Sequence, residues 1–249
     1  MQSDEYGKLF EHEDHYWWFV SRRELAIRLL RHHVSAFDDG RLLDLGCGTG
    51  AALRELAAAC TSATIIGADF SHEALEFCRS RGLENLVHAD GQALPLASDS
   101  FRGIIALDIF EHIPDDAAAF REAFRVLQPG GTLVLSVPAY QSLWGPHDVA
   151  LMHYRRYRRS EVGRCLRQAG FEVPTLGYSI FLLFPVVLAI RLVDKLRRGE
   201  PKVRLPQVSP GLNRLLIKLQ RFEAGLVERV RLPWGSSVVA VAIKPGASQ

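Results

Sequence analysis

Cysteine is scarce. The four in 249 residues, Cys47, Cys60, Cys78 and Cys165, are far apart and form no CxxC or Cys/His ligand spacing. This argues against a zinc site and a disulfide framework, and reads as reduced, packed thiols in a reducing compartment. Net charge is small as well, +2 from 30 basic and 28 acidic residues, so no nucleic-acid partner is expected. No apolar run is long enough to cross a membrane: Phe181–Ile190 has ten residues interrupted by Pro185, against about 20 for a spanning helix. Internal repeats and low-complexity tracts are not visible. The opening MQSDEYGKLFEHEDHYWWF is acidic and lacks an apolar core, so no secretory signal is expected and the cytoplasm is the default.

What is present is alternation. Ser21–Ala36 carries Leu25, Ile27, Leu29, Leu30 and Val34 at helical spacing. Short apolar runs then alternate with helical stretches: strand Arg41–Leu45, helix from Ala51 to Ala59, strand Ala63–Ala68, helix Glu73–Arg81, strand Asn85–Ala89, strand Gly103–Leu107. Helix Asp115–Leu127, strand Gly131–Val137, helix Ser160–Ala169, and strands Phe171–Leu176 and Ser237–Ile243 complete the pattern. Pro129-Gly130-Gly131 reads as a stop before its strand. Continuous apolar strand cores alternating with helices predict an α/β, Rossmann-like, mostly parallel sheet covered on both faces.

The segment LLDLGCGTG, Leu42–Gly50, is strand, tight turn and helix start. Glycines there let a backbone approach a ligand, with helix N–H groups facing any anion. The loop also satisfies the loose dinucleotide pattern, so a nicotinamide oxidoreductase has to be weighed. Asp44 separates the two: beside a pyrophosphate, at ~5 Å and an effective dielectric near 20, each charge pair costs roughly 3 kcal/mol. S-adenosylmethionine brings an ammonium and a sulfonium instead, and its carboxylate can use the helix N-terminus. Asp69 ends the second strand, where a ribose acceptor is expected, and Asp90 ends the third, within reach of an adenine amino group, with Phe70 available to pack on the ring. Any one of these acids could be a turn or capping residue. Three after three successive strands favour a cofactor site.

LLDLGCGTG, IIGADFS, HADGQALPLASDSFRGIIALDIFEHIPD and LQPGGTLVLSVP together resemble the class I S-adenosylmethionine-dependent methyltransferases, the type 11 methyltransferase domain in particular. The resemblance covers about Arg41–Val137. It implies seven strands with the last antiparallel. It also implies a cofactor held by Asp44, Gly46, Gly48, Gly50, Asp69, Asp90 with Gly91 beside it, and the backbone near Leu107–Asp108. Cys47 is a usual occupant of the loop in that family, lining the cofactor without catalytic chemistry. A non-catalytic scaffold on the same fold is the alternative, and fold alone does not decide between them.

Methyl transfer needs an acceptor in line with the sulfonium carbon, and a hydroxyl or amine acceptor gains from a base. Candidate bases are His112, after the fourth strand, and His147 and His153, in the loop after the fifth. Asp148, Arg156 and Tyr157 share that loop and, with Trp17 and Arg23 near the start of the chain, are candidate acceptor contacts. His147, Asp148 and His153 also mimic a two-His, one-carboxylate set, but nothing else suggests metal chemistry and none is expected. The acceptor class is a small molecule, free or lipid- or glycan-linked.

The chain divides at sequence level into an N-terminal helical cap (1–40), a core (41–178), a helical insertion (179–234) and a last strand with tail (235–249). From Arg191 to Arg231 eleven lysines and arginines face four acids, a local +7 in a chain of +2. Leu212, Leu215, Leu216, Leu219, Phe222, Leu226 and Val230 form a helical stripe within it. The insertion reads either as a cap whose stripe packs inward or as an element resting on an anionic membrane surface, the inner face of the cytoplasmic membrane.

Overall fold

Two helices come first in the computed structural model, which describes residues 3–35, 37–196 and 206–246: α1 (Ser3–His12) and α2 (Trp17–His33). There follow β1 (Arg41–Leu45), α3 (Ala51–Ala59), β2 (Thr64–Asp69), α4 (His72–Ser80) and β3 (Leu86–His88). Next come β4 (Phe101–Leu107), α5 (Asp116–Val126), β5 (Leu127–Pro138), the short α6 (Pro146–Ala150), α7 (Arg159–Gln168) and β6 (Glu172–Ser179). Helices α8 (Phe184–Leu196) and α9 (Pro210–Val227) precede β7 (Ser237–Ile243). Local chemistry sets several starts: the side chains of Ser71, Asp115 and Ser209 accept the N–H of Ala74, Ala118 and Leu212, capping α4, α5 and α9.

The strands form one sheet in the order β3-β2-β1-β4-β5-β7-β6. Pairings from β3 to β5 are parallel, and β7 runs antiparallel to both β5 and β6, as expected. Strand order reverses between β1 and β4, so the loops after β1 and β4 diverge to opposite faces and leave a crevice at one sheet edge. Phe110, Phe120, Leu133, Leu135 and Leu166 build the core on one face. Leu29, Leu30, Leu42, Leu56 and Val134 build it on the other. Burying one such side chain contributes roughly 1.5–3 kcal/mol, against about 0–1 kcal/mol for a surface ion pair. These two layers therefore hold the sheet.

Three sequence expectations need correction. Pro129-Gly130-Gly131 does not end an element before its strand; it lies inside β5, where pairing with β4 steps from Phe101↔Leu127 to Gly103↔Thr132 and the extra residues form a bulge. Helix α2 starts at Trp17, ahead of the expected Ser21, because Tyr16 and Trp17 are buried in a small cluster with Ile180. Its expected last residue, Ala36, lies outside the described residues. The stripe on α9 is split. Leu216 and Leu226 pack on the protein beside the buried Gln220, Glu223, Ala224 and Val227, while Leu212, Leu215, Phe222 and, beyond the helix, Val230 are exposed.

Helix α9 is bound to α2 by polar contacts. Arg221 pairs with Glu24 and Arg28 with Glu228, and Asn213 accepts the Trp17 N–H while donating to the His15 carbonyl. Buried Glu223 accepts the N–H groups of Phe181 (2.9 Å) and Leu182 (3.0 Å), which fixes the turn from β6 into α8. The basic residues Arg197, Arg198, Lys202 and Arg204 lie outside the described residues. Glu223→Ala strands two backbone donors, each costing about 1–3 kcal/mol when buried unpaired. Urea unfolding is expected to show a loss of about 2–4 kcal/mol for Glu223→Ala and under about 1 kcal/mol for Arg221→Ala; equal losses would contradict this role for Glu223.

Candidate active site

The turn after β1 has its shape for steric reasons. Gly46 sits at φ 75°, and a Cβ there would lie 2.6 Å from the Ile109 side chain, a contact no other residue tolerates. Gly48 is at φ 54°, and a Cβ there would meet nothing nearer than Leu9 at 3.8 Å, so the loop presents bare backbone to the cavity. The Gly48 N–H donates to Asp69 Oδ2 (2.8 Å) and the Ser71 N–H to Asp69 Oδ1 (2.9 Å), tying the loops after β1 and β2 together. Asp90 accepts the Gln92 backbone N–H at 2.9 Å. Phe70 is 69% exposed and lies against the His88 ring.

These residues open on one cavity of about 980 Å³, at the upper end of small-molecule pockets. The N-terminal helices close one side of it. Glu13 accepts the Thr49 hydroxyl and Arg81 Nη2 (2.7 Å), Asp14 accepts Arg81 Nη1 (2.9 Å), and Arg23 donates to the Glu13 carbonyl (2.6 Å) and to Glu55 (2.9 Å). Glu13 and Arg81 were not legible in the sequence, since no spacing links them to Thr49. Arg23, expected at the acceptor, lines the cavity but spends its donors on this framework. Trp17 is on the wall too.

Asp44 is placed differently from the expectation. It lies buried behind the loop, off the cavity wall, with Oδ2 unpartnered. Burial, then the nearby Asp69 and Glu13 carboxylates, push its carboxyl up to about 8. Burial thus drives it toward its neutral form, and the carboxyl groups on the cavity wall are those of Asp69, Asp90 and Asp108. Gly46, Cys47, Gly48, Phe70, Gly91 and Leu107 line the cavity; Gly50 does not.

At the other end of the cavity the loop after β5 folds against the turn after β4. Asp148 Oδ1 accepts His153 Nδ1 (3.0 Å) and Arg156 Nε (2.7 Å), and its Oδ2 accepts the Gly145 N–H (2.9 Å). Burial pushes the Asp148 carboxyl up, but these donors outweigh it and hold the group well below its ordinary value. Arg156 also donates to the Ala139 carbonyl (3.1 Å), so although it lines the cavity it is braced rather than free to grip an anion. Tyr157 is off the wall, donating to Asp116 (2.7 Å), which corrects its expected role as an acceptor contact. Asp148 is likewise behind the wall.

The three candidate histidines line this end. Burial, then His153, brings His112 down to about 3; burial, then Arg191, brings His147 down to about 3. Glu111 is fully buried with both oxygens unpartnered, and burial followed by Asp108 raises its carboxyl well above the usual range. Asp108, at φ 50°, pairs with Arg22 across the cavity. Among the described residues, Glu111, His112 and His153 bring ligand atoms within 4.8 Å of one another.

Residues 43–135 match the family model described as a methyltransferase domain. A ubiquinone biosynthesis O-methyltransferase of Xanthomonas oryzae is 32% identical over 191 residues, covering 66% of this chain and 79% of the relative. The chain belongs to the class I S-adenosylmethionine-dependent methyltransferases. A Mycolicibacterium smegmatis protein whose name places it among the same enzymes is 31% identical over 169 residues, 66% of this chain and 63% of that one. Two further curated relatives are spanned to 37% and 44% of their length, about half of the whole across the three. Phosphoethanolamine N-methyltransferase 2 of Haemonchus contortus, solved with S-adenosylmethionine, shares the fold at TM-score 0.58 and 17% identity, covering 88% of this chain and 52% of that one.

The position of Asp44 in this family member has a measurable consequence. Folded Asp44 keeps its proton up to about pH 8, while the unfolded chain releases it at about 3.9. Between those values the folded state binds more protons, so Asp44 costs stability as pH rises. Relative to Asp44→Asn, the cofactor-free wild type is expected to lose more than about 1.4 kcal/mol of unfolding free energy from pH 4.5 to 8, the equivalent of one pKa unit. Parallel pH dependences of the two proteins in urea titrations would show that Asp44 is ionised throughout.

Proposed function

We infer that this chain transfers a methyl group from S-adenosylmethionine to an oxygen, nitrogen or carbon of a small-molecule acceptor. The carrying observation is a single cavity with the glycine turn and Asp69 at one end and an Asp148-oriented His153 at the other. The residues present suit the cofactor: bare backbone at Gly48, carboxylates at Asp69 and Asp90 for hydroxyl and amino donors, and Phe70 as a flat apolar surface. When bound, S-adenosylmethionine supplies a methyl carbon already activated by sulfonium. The chain's own residues then hold the acceptor in line with that carbon and keep bulk water away.

His153 is the general base in this reading, with Asp148 fixing its ring through Nδ1 so that Nε2 takes a proton from an acceptor hydroxyl or amine. His112 and His147, both brought down to about 3, are too weakly basic for that role near neutrality. They shape the acceptor end, with Trp17 and the α8 side chains Val187 and Ile190 as further wall. His153→Gln is expected to lower turnover about 10²-fold or more with cofactor affinity unchanged. His147→Gln is expected to leave the pH–rate profile in place. Unchanged turnover in His153→Gln, with cofactor affinity intact in calorimetry, would leave positioning alone as the catalytic device.

A further inference from the structure

The outer surface of the insertion, as far as its described residues go, is a feature that the methyl-transfer site does not use. Helix α9 packs Leu216, Ile217, Gln220, Glu223, Ala224 and Val227 on the protein and leaves three large apolar side chains outside: Leu212 is 44%, Leu215 62% and Phe222 64% exposed. At 3.6 residues per turn these three share one side of α9, and the exposed Arg214 and Lys218 lie on the adjoining side. Helix α8 also carries exposed apolar side chains. It lines the cavity through Val187 and the partly exposed Ile190, and Val186, Leu192 and Val193 are exposed outside it. Both helices flank the Tyr16–Trp17–Ile180 cluster, with Leu183 from the turn before α8, Val187 from α8, and Leu216 and Ile217 from α9 packed on it.

We propose that the outer faces of α8 and α9 dock on the surface of an anionic lipid bilayer, and that the methyl acceptor reaches the cavity from that bilayer beside α8. The second half of this statement rests on the methyltransferase reading. Exposed apolar side chains flanked by Arg214 and Lys218, in a stretch whose sequence carries +7, match an interface of acyl chains below and anionic headgroups above. A two-fold contact with a second copy fits less well, because an isologous interface would bring these cationic flanks toward their own counterparts. No helix among the described residues is long and apolar enough to cross a membrane, so the element lies on the surface rather than through it. The cavity then opens where a lipid-linked acceptor can lift its headgroup toward His153 while its chains stay in the bilayer.

The test is sedimentation of the full chain with vesicles of phosphatidylglycerol and phosphatidylcholine, or of phosphatidylcholine alone, at low and high salt. Most of the protein is expected to pellet with the anionic vesicles at low salt, with at least a several-fold loss at high salt and little binding to neutral vesicles. Leu215→Glu with Phe222→Glu is expected to reduce anionic binding about tenfold or more. Both positions are exposed, so thermal unfolding and S-adenosylmethionine affinity are expected to stay unchanged. A supernatant protein at low salt, equal binding by the double variant, or a concentration-dependent dimer that the variant abolishes would each overturn the docking surface. Vesicle binding by a protein with no S-adenosylmethionine affinity would instead sink the methyltransferase reading and leave the surface standing.

Discussion

The bond from the Gly48 N–H to the Asp69 carboxylate joins the two loops on which the cofactor end depends. It is possible because β1 pairs in parallel with both β2 and β4, which delivers the ends of all three strands to one edge. Once that edge is fixed, other groups organise around it. Glu13 and Arg81 lash the N-terminal helices to Thr49, Arg22 reaches Asp108, and the loop after β5 folds against Glu111 and His112. A mostly parallel sheet with a reversed strand order thus produces one cavity with the glycine turn at one end and the histidines at the other.

Ionisable groups on and behind the cavity wall are in two different conditions. His112 and His147 on the wall, and Asp44 and Glu111 behind it, are buried and driven toward their neutral forms. Asp148 is held charged by His153, Arg156 and the Gly145 N–H, and through that charge it orients the His153 ring. Separation of this kind gives one imidazole a charged partner that fixes its orientation while its neighbours stay uncharged. The same low-dielectric surroundings favour bringing a sulfonium and a neutral acceptor together, since methyl transfer disperses positive charge as it proceeds.

The sequence was most legible where chemistry is local. The apolar runs, the glycines after β1 and the acids after β2 and β3 stand out by their local spacing, and the elements and their order follow from it. Legibility failed where the answer lies across the fold. Arg156 and Tyr157 look like acceptor contacts until Asp148, Ala139 and Asp116 are seen to use their donors. Asp44 reads as a charged neighbour of the cofactor, but burial, which spacing does not report, neutralises it. Periodicity located the stripe on α9 and could not say which side faces the sheet; Glu223, accepting two N–H groups from the turn before α8, decides that.

The central claim is that one cavity both holds the methyl donor and presents an acceptor to it. It is tested most directly with S-adenosylmethionine labelled in its methyl group, incubated with the purified chain and a cell extract separated into lipid, glycan and polar fractions. Label is expected to appear in a single fraction, the lipid one, in proportion to enzyme and with S-adenosylhomocysteine formed in equal amount. Cofactor bound in calorimetry with no label leaving it in any fraction would contradict catalysis and leave a binding protein on a methyltransferase fold.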